Sequence, residues 1–151
     1  MMRRRVSLDE SGLTLIELLA VVVILGIISA IAIPITNSVI QESRNRAFLS
    51  NAMVMKEAAT VYFRESFILS GQETSVNYGQ LVQEGYLHPF VDPDTRERMP
   101  DDGNGSFVRL ERGEGSQFIY SIYMRGTNRH IGTDTAPVQI DELDYEDIVS
   151  N

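Results

Sequence analysis

The sequence contains no cysteine. Disulfides, thiolate metal sites and cysteine nucleophiles are therefore excluded, and any part of the chain outside the cytoplasm is held by packing alone. Histidine is nearly as scarce, with only His88 and His130. His88 precedes a proline and His130 follows a Gly-Thr-Asn-Arg turn. Neither sits in a metal-spaced pair or beside a serine nucleophile. No phosphate-cradling glycine pattern precedes a helix, and there is no internal repeat. Together these absences predict a protein that is not an enzyme. Positive charge is also short after the first residues. The net charge is −8. Setting aside residues 1–12, with Arg3, Arg4, Arg5, Asp9 and Glu10, leaves 10 basic and 19 acidic side chains. An acidic surface repels phosphates, so no direct nucleic-acid binding by the bulk surface is expected. A local basic patch stays outside that argument.

What the chain has in quantity is an apolar run. From Leu18 to Ile35 there is no charge, and Ser29 is the one polar side chain. As a helix, Leu13–Ile35 would span roughly 35 Å, enough to cross a hydrocarbon core of about 30 Å. Arg3, Arg4 and Arg5 precede it, which places the N-terminus on the cytoplasmic side and the rest outside. A secretory signal peptide competes with this reading, since Ser29-Ala30-Ile31-Ala32 resembles a small-residue cleavage site. The apolar run is longer than such peptides need. Pro34 removes one helical hydrogen bond and disfavours helix at Ile33, so a kink is expected there. Gly26 weakens the same helix.

Glu17 is the anomaly, a carboxylate at the start of the run. It is hydrated near the interface, protonated in lipid, or paired with a cation in the membrane. A cut after Gly12 would supply that cation, because Leu13 would then carry an α-ammonium four residues before Glu17.

With Gly12, Thr14-Leu15-Ile16-Glu17, Gly26 and Pro34 in this order, the segment resembles the prepilin leader and N-terminal helix of type IV pilins and of type II secretion or competence pseudopilins. Leu13 departs from the usual Phe, and Asp9-Glu10 lie unusually close to the cut. The resemblance implies cleavage between Gly12 and Leu13 by a prepilin peptidase and N-methylation of Leu13. It implies that Glu17 neutralises the Leu13 amine, across subunits, as a filament grows. Gly26 and Pro34 would be places where the helix bends or melts on packing. Two unpaired charges in an apolar filament core would each cost several kcal/mol, so Glu17 would select register more than add stability. Apolar helices gain little on leaving lipid for an apolar bundle. Extraction then needs a motor, which the family supplies as an assembly platform with a cytoplasmic ATPase. The implied partners are other pilins, the peptidase, that platform and membrane lipid. The implied location is the cytoplasmic (inner) membrane of a bacterium, single-pass with the C-terminus outside, and then an extracellular or periplasmic filament.

Beyond Pro34 the helix is expected to resume. Phe48, Ala52, Met55, Ala59 and Tyr62 share one face, while Glu42, Arg46, Asn51, Lys56 and Glu57 lie elsewhere. One helix is predicted from about Leu13 to Phe67, ended by Ser70-Gly71. A short helix follows at Tyr78–Glu84, with Asn77 as N-cap and Gly85 as stop. Leu81–Thr95, with Gly-Tyr-Leu before Asp92-Pro93-Asp94, is similar to the segment after the long helix in pseudopilins and Gram-positive pilins, where Gly-Tyr-Leu precedes a Pro-Asp-Pro turn. Tyr86, Leu87 and Phe90 are expected to pack beneath that loop. Alternation predicts strands at Phe107–Arg112 and Gln117–Arg125, with a third at Ala136–Ile140. The acidic tail is expected to be solvated at its end.

The expected fold is α+β and pilin-like, a long N-terminal helix packed on an antiparallel sheet of about three strands. Its expected parts are a leader (1–12), the membrane half of the helix (13–35), its soluble half (36–69), a connector with a short helix (70–105) and the β-region with its tail (106–151). Asp101, Asp102 and Asn104 in Asp-Asp-Gly-Asn-Gly are weak calcium candidates. They lack the spacing and closing Glu of an EF-hand, and a simple turn is the competing reading. No other cofactor is expected.

Overall fold

The structure, a computed structural model, describes residues 14–69, 74–113 and 117–150. It falls into two compact units, one ending at Ile40 and the other starting at Gln41. Helix α1 runs Leu15–Leu69 and so contributes to both.

The first unit is helix alone among its described residues. As expected, one helix continues across Pro34. Hydroxyls next to the proline serve the helix backbone. Thr36 Oγ1 donates to the Ala32 carbonyl at 2.9 Å and Ser38 Oγ to that of Ile35 at 2.8 Å. Neither bond reaches the Ala30 carbonyl, the one that Pro34 leaves without its helical donor.

The second unit is α+β. The predicted face of α1 is its core face: Phe48 and Met55 are fully buried, as are Ala52, Ala59 and Tyr62 to within 5%. Phe63 joins them and tilts against Tyr120 of the sheet at 6.5 Å between ring centroids. Not all of the polar set faces water. Asn51 is half-buried and donates to the Val91 carbonyl at 3.2 Å, while Lys56 lies 5.6 Å over the Tyr120 ring. Helix α2 spans Tyr78–Gln83, with Asn77 and Gln80 closing a reciprocal capping box, and Gly85 takes φ +83° just past its end. Leu87 is buried, and Tyr86 and Phe90 pack on the same core. The predicted Ser70-Gly71 stop lies outside the described residues.

Among the described residues the sheet has six strands, all antiparallel, rather than the expected three: β1 (Ser75–Asn77), β2 (Phe107–Arg112), β3 (Phe118–Arg125), β4 (Arg129–Ile131), β5 (Val138–Gln139) and β6 (Ile148–Ser150). The order is β1-β2-β3-β4-β6, with β5 also on β3. The three additional strands are three residues each, too short to show an alternation. The third expected strand shrinks to Val138–Gln139, because Ile140 already begins a helical turn. The tail pairs as a strand, Ile148 with Ile131, while Val149 and Ser150 stay exposed.

A polar seam joins α1 to the sheet within this unit. Arg129 of β4 is 5% exposed and grips Asp94 with both arms, Nε to Oδ2 at 2.7 Å and Nη2 to Oδ1 at 2.5 Å. Its remaining donors reach Asn45 and Gln41 on α1, and Arg44 approaches Asp94 at 3.5 Å. Buried Asp92 accepts the backbone N–H groups of Asp94 and Thr127, both at 2.7 Å. Burial pushes its carboxyl up, but these bonds to the ionised form outweigh it and hold the pKa below the usual carboxylate range.

Candidate functional site

The described residues begin at Thr14, one residue before α1. Thr14 precedes the first turn, and Glu17 lies in that turn. Thr14 N–H and Thr14 Oγ1 both donate to Glu17 Oε2, at 2.9 and 3.0 Å, and Glu17 N–H approaches Thr14 Oγ1 at 3.4 Å. This is the Thr-x-x-Glu capping box, in which two otherwise orphaned backbone donors are satisfied reciprocally. Glu17 thus has a partner within its own helix, a role that the charge-based reading of the sequence missed although the spacing carries it. Gly12 and Leu13, the expected cleavage pair, lie outside the described residues.

From Leu15 to Ile35 every large apolar side chain is at least 48% exposed. Burying such a side chain fully is worth about 1.5–3 kcal/mol. Nothing in the described chain covers this surface, so it calls for lipid or other helices. Beyond Glu17 the one polar side chain of the run is internally satisfied, Ser29 Oγ donating to the Leu25 carbonyl at 2.7 Å. Among the described residues α1 is the helix long and apolar enough to cross a membrane. Gly26 has open space around it, and a Cβ there would meet nothing within 4 Å in this chain. Pro34 sits on the same exposed surface as an uninterrupted part of the helix.

The calcium candidates form a tight turn. Asp102 Oδ1 accepts the Asn104 N–H at 3.0 Å, Asn104 Nδ2 donates to the Arg125 carbonyl at 3.2 Å, and Asp101 faces Arg98 at 3.5 Å. Gly103, at φ +60°, lies against the Tyr78 ring, where a Cβ would fall 2.4 Å from Tyr78 Cβ. Among the described residues no three His, Cys, Asp or Glu side chains group as metal ligands would. His88 is exposed in the loop after α2, whereas His130 pairs across β4 with Arg125.

No curated protein and no solved structure matches the chain. A family model does match residues 8–33, which span Gly12, Leu13, Glu17 and Gly26, while Pro34 lies just beyond. The exposed apolar helix and this match fit anchoring in the inner membrane with the C-terminal region outside. The chain carries at residues 8–33 the prokaryotic N-terminal methylation motif, the signature of prepilin-type cleavage in type IV pilins and pseudopilins.

Proposed function

We propose that the chain is a structural subunit of a type IV pilus-like filament, serving adhesion or motility, DNA uptake or protein secretion. A prepilin peptidase cuts Gly12–Leu13 and the Leu13 amine is methylated. The exposed apolar half of α1 holds the subunit in the membrane and later packs in the filament. The observation that carries this reading is the coincidence of the methylation motif with an apolar helix that none of the described residues covers. A soluble enzyme domain has no use for such a surface, and the two features meet in one 26-residue stretch.

Charge logic assigns Glu17 its role. A new α-ammonium at Leu13 and the Glu17 carboxylate are each costly alone in an apolar bundle and tolerable as a pair, so their pairing fixes register. The test is expression with the family's assembly machinery. The wild-type chain is expected to be processed and to appear in filaments sheared from cells. Gly12→Val is expected to remain at the precursor size and to give no filaments. A normal mature band from Gly12→Val would overturn the cleavage assignment. Processed wild-type chain that stays monomeric in the membrane would favour a bitopic protein with an outer binding domain.

A further inference from the structure

The outer face of the sheet carries a surface that the N-terminal helix does not account for. Val76, Val108, Ile122 and Met124 turn toward the core and are fully buried. On the opposite face the register puts Asn77, Phe107 and Tyr123 in one row, Ser75 and Arg109 beside the buried Ser121 in the next, and Arg125 beside His130; Phe107, Arg109 and Tyr123 are half-buried. The Phe107 and Tyr123 rings lie 5.7 Å apart, and the Arg109 guanidinium sits 5.2 Å over Phe107. Arg109 also approaches exposed Glu111 at 4.0 Å, a contact worth little in water. Arg125 is exposed and makes no ion pair among the described residues. Its backbone is nevertheless fixed: its N–H donates to Ser106 Oγ at 3.0 Å, and its carbonyl holds Asn104. The side chain borders an open hollow of about 230 Å³ lined also by Tyr123, His130 and Asp134.

A complement to this face lies on the same chain. Asp141, Glu142, Asp144, Glu146 and Asp147 place five carboxylates in seven residues. None forms an ion pair among the described residues. Asp144 and Asp147 cap a helical turn, so the segment has a defined shape, and Tyr145 stands 46% exposed within it.

We propose that the outer sheet face, centred on Arg125 with Arg109, Phe107 and Tyr123, docks the acidic 141–147 segment of a second copy of this chain. The arginines meet the carboxylates, and Tyr145 meets the aromatic pair. Face and segment are different patches, so the contact is heterologous and propagates along a chain of subunits instead of closing a dimer. Nucleic acid fits the face less well, because Glu111 and Asp134 border it and the chain as a whole is acidic. This inference rests on the filament reading.

The absence of native cysteine makes the test direct. The full-length chain carrying both Ser75→Cys, exposed beside Arg109 on the face, and Glu146→Cys, which leaves four of the five carboxylates, is treated with a short bis-maleimide in membranes and filaments of cells that assemble it. A ladder of covalent multimers is expected from the double variant and from neither single variant. Arg109→Glu should reduce the ladder about tenfold, and Glu142→Arg in the same chain should restore it. Monomer alone from the double variant, or dimers from either single variant, overturns the proposal. So does retention of a single-stranded oligonucleotide by the detergent-solubilised full chain that Arg125→Glu abolishes. Filaments without a ladder overturn this contact and leave the filament reading standing, whereas an unprocessed Met1 start overturns the filament reading whatever the ladder shows.

Discussion

Glu17 carries two jobs that one substitution cannot separate. Its carboxylate caps α1 through Thr14, and its charge is the proposed partner of the Leu13 amine. Glu17→Ala removes both. Glu17→Gln keeps a capping side chain, since Gln serves at this position of the box, and removes only the charge. Both variants are therefore expected to insert in the membrane and both to lose filaments. Filaments of normal yield from Glu17→Gln would reduce Glu17 to a cap and contradict the pairing. Asp92 gives a separate residue-scale outcome. Its folded pKa is depressed, so the stability it contributes is present above the unfolded value near 4 and is lost as pH falls through the folded value. Asp92→Asn should be less stable at neutral pH, with a flatter acid limb in urea titrations. An unchanged acid limb would show that Asp92 is not a source of the acid sensitivity.

At the scale of elements, α1 has an apolar half and a half whose buried face meets a sheet. Both were legible, because a charge-free run and a 3-4 spacing of Phe48, Ala52, Met55, Ala59 and Tyr62 are local patterns. The short helix α2 was legible for the same reason, as Asn77 and Gly85 are local signals. Strands β1, β4 and β6 were not, since three residues hold no period and their partners are remote. The seam was equally hidden: Arg129 meets Asp94 across 35 positions and Gln41 across 88. Breaking a buried, hydrogen-bonded ion pair from one side costs about 3–5 kcal/mol. Arg129→Ala should lower the unfolding free energy of the detergent-solubilised chain by that order, read from urea midpoints. A loss under about 1 kcal/mol would mean that the seam is solvated rather than locked. Gly26 makes the opposite prediction. Its site is open within the chain, so Gly26→Ala should leave insertion and processing unchanged and reduce filament yield through a neighbouring helix. Unchanged yield would show that no neighbour approaches Gly26 closely.

At the scale of the whole molecule, the chain has an apolar helix that none of the described residues covers and an acidic α+β unit with its own core. The methylation motif at residues 8–33 was legible in the sequence, and the structure adds the capping partner of Glu17 and the exposure of the apolar surface. The central claim is that this N-terminus is a cleavage product and the helix behind it an assembly element. Intact mass and N-terminal sequence of the protein recovered from cells test it most directly. The account predicts a chain that begins at Leu13 and carries one added methyl group. A chain that still begins at Met1, or one that begins near Ile31 or Ile33 after signal-peptide cleavage, would contradict it.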